Sequence, residues 1–183
     1  IKAQIKGYYY DDGKWHDASA SGAKVQWTVD DVELKLADDG YYHYTFKNLP
    51  TELQDINGNT CLMGYKVTLD EKSIDKTLKP TLSYQTTTDQ DSDLVKRSGN
   101  YALMKKDDYV ITAKKLSDTD DKHKGTLKTV GDNTYDLLQH QNINNYDAGL
   151  TGIETSAISG QVWIDQNYDG IQNTYEKSLK GIK

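Results

Sequence analysis

The chain has 183 residues, a formal net charge of -6, one cysteine and 36% hydrophobic residues, with 14 tyrosines against one phenylalanine. The acidic balance argues against a nucleic-acid partner, which calls for a basic patch. The lone Cys61 excludes an intrachain disulfide, and no stretch approaches the roughly 18 apolar residues of a membrane-spanning helix.

A chain this poor in apolar residues folds when they alternate along strands, so that each strand buries one face. Tyrosine suits that use, because its ring packs while its hydroxyl stays wet. Ile1 to Tyr10 alternates loosely and reads as a strand, closed by the hairpin signal Asp11-Asp12-Gly13. Lys14-Trp15-His16 begins the return strand, and 18–22 is small, polar and loop-like. Val25, Trp27 and Val29 fall on one face of a further strand. Val32 to Leu36 repeats the pattern before Asp38-Asp39-Gly40 turns the chain. Tyr42 to Phe46 is a strand ended by Asn48-Leu49-Pro50, and 55–59 is a turn. Met63 to Leu69 is another strand, preceded by Cys61, which is read as a small buried apolar residue.

From Asp70 to Asn100 the chain is polar, with Pro80 to Tyr84 as an edge strand. Asp89, Asp91 and Asp93 form an acidic cluster that spacing alone assigns to a solvated loop. Tyr109 to Ala113 and Gly125 to Val130 read as strands around a charged loop at 117–124. Thr134 to Leu138 fits a strand or a helix. Asn142 to Leu150 ends the series, and 151–157 reads as a short linker. About ten strand segments and no amphipathic helix predict an all-β sandwich.

The most informative stretch follows: Asp165-Gln-Asn167-Tyr-Asp169-Gly170-Ile171-Gln-Asn173-Thr-Tyr-Glu176. It matches the twelve-residue calcium loop D-x-[DN]-x-[DN]-G-x5-E at every constrained position. Calcium takes six to eight oxygens. Asp165, Asn167 and Asp169 offer side-chain oxygens, and Gly170 permits the sharp turn. Ile171 offers its carbonyl, Asn173 binds directly or through water, and Glu176 closes the site with both oxygens. In an EF-hand a helix enters and a helix leaves. Here the entering segment, Ile158 to Ile164, is short, β-branched and aromatic, and reads as a strand. The leaving segment, 177–183, is too short for a stable helix. The motif is therefore an EF-hand-like loop on a β scaffold, which separates it from helical calcium sensors.

Several stretches together resemble a family. Ile158-Ser-Gly-Gln-Val-Trp-Ile-Asp165 with the loop, then Glu176-Lys-Ser-Leu-Lys-Gly181-Ile182, resembles the start of a B-type repeat of Gram-positive cell-wall-anchored surface adhesins. These are the SdrD-like B domains, relatives of the collagen-adhesin Cna B domains. Asn145-Tyr-Asp147-Ala-Gly149-Leu150 resembles the end of such a repeat. Gly40 to Pro50 and Gly64-Tyr65-Lys66-Val67 resemble its central strands, and Asp91-Ser-Asp93 one of its loops.

The resemblance implies an extracellular, calcium-stiffened, Ig-like (Cna B/prealbumin-like) β-sandwich, one of several in a row between a ligand-binding region and the cell wall. It places calcium on Asp165, Asn167, Asp169 and Glu176, and further calcium at Asp91, Asp93 and Asp147. Some relatives carry a Lys–Asn isopeptide crosslink, for which Lys2 or Lys6 with Asn144 or Asn145 are the candidates. The motif order is permuted, and Ile182-Lys183 restates Ile1-Lys2. Residues 1–157 are then the body of one repeat in a tandem array cut at an internal point. Residues 158–183 either complete the same body, as in a circular permutant, or start the next repeat.

The sequence is open to three function classes. A structural role is favoured: a calcium-stabilised stalk or spacer repeat that rigidifies a tandem array, with neighbouring repeats as its partners in the chain and the host or matrix ligand bound elsewhere in the parent protein. The alternative is direct adhesion, in which Trp15, Trp27 and Tyr8 to Tyr10 bind a host protein or glycan; those residues are also ordinary strand residues. Catalysis is not expected, since His16, His43, His123 and His140 are scattered and no nucleophile motif is present.

Overall fold

The computed structural model describes residues 1–81, 92–97, 100–103, 109–117, 125–144, 146–152 and 162–177. The chain forms two compact units, Ile1–Gly152 and Ile153–Lys183.

The first unit is all-β. Its strands are β1 (Lys2–Asp11), β2 (Lys14–Asp17), β3 (Asp30–Glu33), β4 (Lys35–Leu36), β5 (Tyr42–His43), β6 (Glu52–Gln54), β7 (Thr60–Leu69), β8 (Leu78–Pro80), β9 (Leu94–Arg97), β10 (Asn100–Leu103), β11 (Ala113–Lys115), β12 (Leu127–Val130), β13 (Asn133–His140) and β14 (Leu150–Gly152). All pairings are antiparallel. The largest sheet runs β2-β1-β7-β10-β9, with β3 on the first half of β1 and β6 on the start of β7. A three-stranded sheet, β11-β13-β12, and two small ladders, β14-β8 and β4-β5, complete the set. Several antiparallel sheets without an α-helix among the described residues are consistent with a β-sandwich.

β1 and β7 are the central pair, in register from Ala3↔Leu69 to Tyr10↔Leu62. Their alternation sorts side chains to two faces. Ala3, Ile5 and Tyr9 on β1, with Cys61, Met63, Tyr65, Val67 and Leu69 on β7, build the main core. Leu62 turns to the other face, where Ala113, Tyr135 and Leu137 of the three-stranded sheet join it, and Tyr10 and Trp15 pack alongside. The β1–β2 connection is a two-residue turn, Asp12 and Gly13, both with positive φ, as strand twist favours.

Two glycines on the central pair admit tryptophan rings. A Cβ at Gly7 would stand 2.7 Å from the Trp27 ring, and one at Gly64 would stand 2.6 Å from Trp15. Trp15 in turn stacks on Tyr109 at 4.5 Å between ring centres and meets Tyr10 edge-on at 5.2 Å. Trp27 meets Tyr65 edge-on at 5.4 Å. The buried Tyr65 hydroxyl donates to the Pro50 carbonyl at 2.6 Å, and burial raises its pKa.

Three expectations change. The strand expected over 25–29 joins no ladder; Trp27 N–H instead donates to the Ala18 carbonyl at 2.9 Å. Its alternation reported burial, since Val25 is 1% exposed, and not pairing. The strand expected over 42–46 pairs only as β5, and Asn48 at φ 57 turns the chain soon after. The acidic cluster is not simply solvated, because Asp93 is 2% exposed. The ambiguous segment 134–138 is strand, inside β13. Of the edge strand expected at 80–84, Leu82 to Tyr84 lie outside the described residues.

Candidate metal centre

The twelve-residue loop belongs to the second unit, whose described part is 162–177. Its base is closed by Ile164 N–H donating to the Lys177 carbonyl at 3.2 Å. Tyr168 has φ 62 and Gly170 has φ 76. The left-handed turn at Gly170 is one that a residue without Cβ adopts freely, which explains the glycine at this motif position.

Glu176, the last loop residue, is 6% exposed. Its Oε1 accepts from Gln166 N–H at 2.8 Å and its Oε2 from Asn173 N–H at 2.9 Å. One buried carboxylate thus joins the beginning, middle and end of the loop. Asp165 Oδ2 accepts from Gly170 N–H at 2.8 Å, whereas Asp165 Oδ1 is buried with no hydrogen-bond partner. Asp169 Oδ1 accepts from Ile171 N–H at 2.7 Å, and its Oδ2 from the Asn167 and Asn173 amides at 2.7 and 3.1 Å. Asn173 Nδ2 also donates to the Ile171 carbonyl at 3.2 Å. All six expected donors therefore take part in one loop, most of them bonded to each other or to the loop backbone.

Among the described residues no group of three or more His, Cys, Asp or Glu side chains is gathered to hold an ion. The fit to a hard cation rests instead on donor chemistry. An anionic oxygen, Asp165 Oδ1, is sealed from water without a partner, and a buried oxygen in that state is costly unless something pairs with it. Carboxylate, amide and carbonyl oxygens are the ligands calcium takes. On that observation the donor set is compatible with the metal: Asp165, Asn167, Asp169, the Ile171 carbonyl, Asn173 and Glu176 would hold it, and its charge would pair with the Asp165 oxygen that has no hydrogen-bond partner.

The Asp169 carboxyl is held below its usual pKa, first by the Ile171 N–H and then by the Asn173 and Asn167 amides. A lowered folded-state pKa stabilises above the unfolded value, near about 4, and that contribution is lost as pH falls through the lower folded value. Acidification below about pH 4 is expected to release the Ile171 amide, read as a shift of its NMR resonance. A resonance indifferent to pH between about 7 and 2 would contradict this.

The other candidates lie in the first unit. Asp93 and Asp147 are brought together: Asp147 N–H donates to Asp93 Oδ2 at 3.0 Å, and Asp93 N–H to the Asp147 carbonyl at 2.7 Å. Ser92 Oγ accepts from Gly149 N–H at 3.1 Å, and the Tyr44 hydroxyl donates to the Tyr146 carbonyl at 2.7 Å. Burial, then the Asp147 and Asp93 charges, raise the Tyr44 pKa. Sequence reasoning missed Ser92 and Tyr44, whose only signal is their place in the resembling loop and strand. Asp147 is exposed, and Asp91 lies outside the described residues.

Of the crosslink candidates, Lys2 and Asn144 are exposed, and Asn145 lies outside the described residues. Lys6 Nζ pairs with Asp17 at 2.6 Å. The aromatic residues considered for adhesion are packed: Tyr9 is 4% exposed, Tyr8 meets Tyr109 edge-on at 5.0 Å, and Trp15 and Trp27 cover Gly64 and Gly7.

The chain is similar to serine-aspartate repeat-containing protein F of Staphylococcus epidermidis, with 26% identity over 94% of this chain. It spans 10% of that relative's length. No family model matches the chain, and no solved structure matches it.

Proposed function

We propose that this chain is a calcium-stabilised structural repeat of a bacterial surface adhesin, an Ig-like β-sandwich that serves as a stiff, non-catalytic spacer outside the cell, at the cell wall. The observation that carries the calcium reading is the loop at 165–176, with Asp165 Oδ1 buried and unpaired beside a Glu176 that already ties the loop together. The similarity to a serine-aspartate repeat protein over nearly the whole chain supports the surface-repeat reading. The all-β body of antiparallel sheets is compatible with it. In this reading 158–183 supplies the metal-clamped beginning of a repeat and 1–157 the body. Neighbouring repeats are the immediate partners, and any host ligand is met elsewhere in the parent protein.

Calcium is millimolar outside cells, so even a weak extracellular site fills. With a dissociation constant of about 0.1–1 mM, about 2 mM calcium adds roughly 0.6–1.8 kcal/mol to the folded loop. Limited trypsin digestion and calorimetry, each in calcium and in EDTA, test this. EDTA is expected to speed cleavage after Lys177 and lower the transition temperature, and added calcium to reverse both. Identical digestion and melting in the two buffers would overturn the calcium reading.

A further inference from the structure

A trough of about 1110 Å³ lies in the body between two segments, 42–51 on one side and 138–144 with 146–147 on the other. Its floor includes Ile5, Val67, Val110 and Thr112. The walls are fastened to each other at two points. The Tyr44 hydroxyl donates to the Tyr146 carbonyl, and the Thr51 hydroxyl to the Leu137 carbonyl, both at 2.7 Å. The two fastenings are separated by about seven residues of the first wall, a span kept below the roughly 23 Å of a full strand by the turn at Asn48. A trough tied at both ends suits a short, bounded ligand better than a strand running through it.

Its chemistry is specific. Thr112 is 9% exposed, and its Oγ1 is buried with no partner. A hydroxyl both donates and accepts, and an orphan of this kind in a cavity floor calls for a polar group to meet it. Asn48, Asn142 and Asn144 add amides to the walls. Gln141 adds another, fixed in orientation because its Nε2 donates to the Ile111 and Ala113 carbonyls at 3.3 and 3.0 Å. Tyr42, Phe46 and Tyr146 add ring surface, with Tyr42 49% exposed. Lys47 and Asp147 bring one charge of each sign, and His43, paired with Asp39, and His140 add imidazole nitrogens, so no one sign of charge dominates the lining. Amides and hydroxyls set among aromatic rings, without a dominant charge, match sugar hydroxyls and the apolar faces of pyranose rings.

We propose that this trough binds a short neutral oligosaccharide. The proposal does not depend on the loop at 165–176, none of whose residues line the trough. The test is titration calorimetry and saturation-transfer NMR with maltotetraose, cellotetraose, chitotetraose and lacto-N-neotetraose, in calcium throughout. At least one is expected to bind saturably, with a dissociation constant of about 0.1–1 mM. Thr112→Val keeps the shape and removes the hydroxyl; it is expected to weaken binding about tenfold without lowering the melting temperature. Tyr42→Ala, at a partly exposed position, is expected to weaken it as well. Absence of saturable binding by all four sugars up to about 10 mM would overturn the proposal, as would affinities unchanged in both variants. Capture of an extended peptide in the trough with no sugar bound would overturn it too, and would identify the site as a strand acceptor.

Discussion

Glu176→Ala is expected to open the loop at 165–176 even without metal, by about 3 kcal/mol. The reason is the double use of one carboxylate. Glu176 is nearly sealed from solvent and accepts Gln166 N–H through one oxygen and Asn173 N–H through the other. Truncation leaves both donors without their acceptor, at roughly 1–3 kcal/mol each, with part of the loss recovered as water enters. Amide hydrogen exchange reads the effect directly. Gln166 and Asn173 amides are expected to exchange on the order of a hundredfold faster in the variant, while those of Ile5 and Val67 in the body keep their rates. Glu176→Asp separates charge from reach: its shorter side chain keeps the charge but satisfies one donor only, so about half the effect is expected. Unchanged exchange at Gln166 and Asn173 in Glu176→Ala would show that the carboxylate does not hold the loop.

The turn of that loop was legible because it is local. All six expected donors lie within twelve consecutive residues, and the same spacing places the glycine of the turn, Gly170, where the backbone has positive φ. The long strands were legible for a similar reason: period-two alternation over β1 and β7 marks a strand with a buried face whatever its partner. What alternation cannot specify is who pairs with whom. Val25, Trp27 and Val29 alternate as well as any strand, yet 25–29 is held by loop hydrogen bonds and lends the core its side chains without joining a sheet. The junction of Asp93 with Asp147 spans 54 positions and depends on backbone groups of both residues. Residue spacing therefore assigned Asp93 to a solvated loop, and only the family resemblance set the two residues in a common role. The trough depends on tertiary placement in the same way, since Thr112 and Gln141 carry no local signature.

The body should be most sensitive at its glycines. Gly64→Val is expected to cost about 3 kcal/mol and Gly64→Ala about 1–2 kcal/mol, read as shifts of the denaturation midpoint at constant slope. A glycine in a central strand is ordinarily a weakness, and adding a side chain there gains roughly 0.5–1 kcal/mol of backbone entropy. Here that gain is outweighed by sterics. The first added carbon would stand 2.6 and 2.7 Å from two atoms of the Trp15 indole and 3.1 Å from Tyr109 Cβ. The indole has little room to yield, being stacked on Tyr109 at 4.5 Å and met edge-on by Tyr10 at 5.2 Å. Its displacement would break the packing between the central sheet and the β11-β13-β12 sheet, where Leu62 meets Leu137 and Tyr135. A double-mutant cycle isolates the cause. Trp15→Leu alone leaves a cavity and is costly, but it also removes the clash, so Gly64→Ala on that background should be neutral or stabilising. The two changes together should then cost about 1–2 kcal/mol less than their sum. Strict additivity would mean that Gly64 is needed for something other than room for the ring.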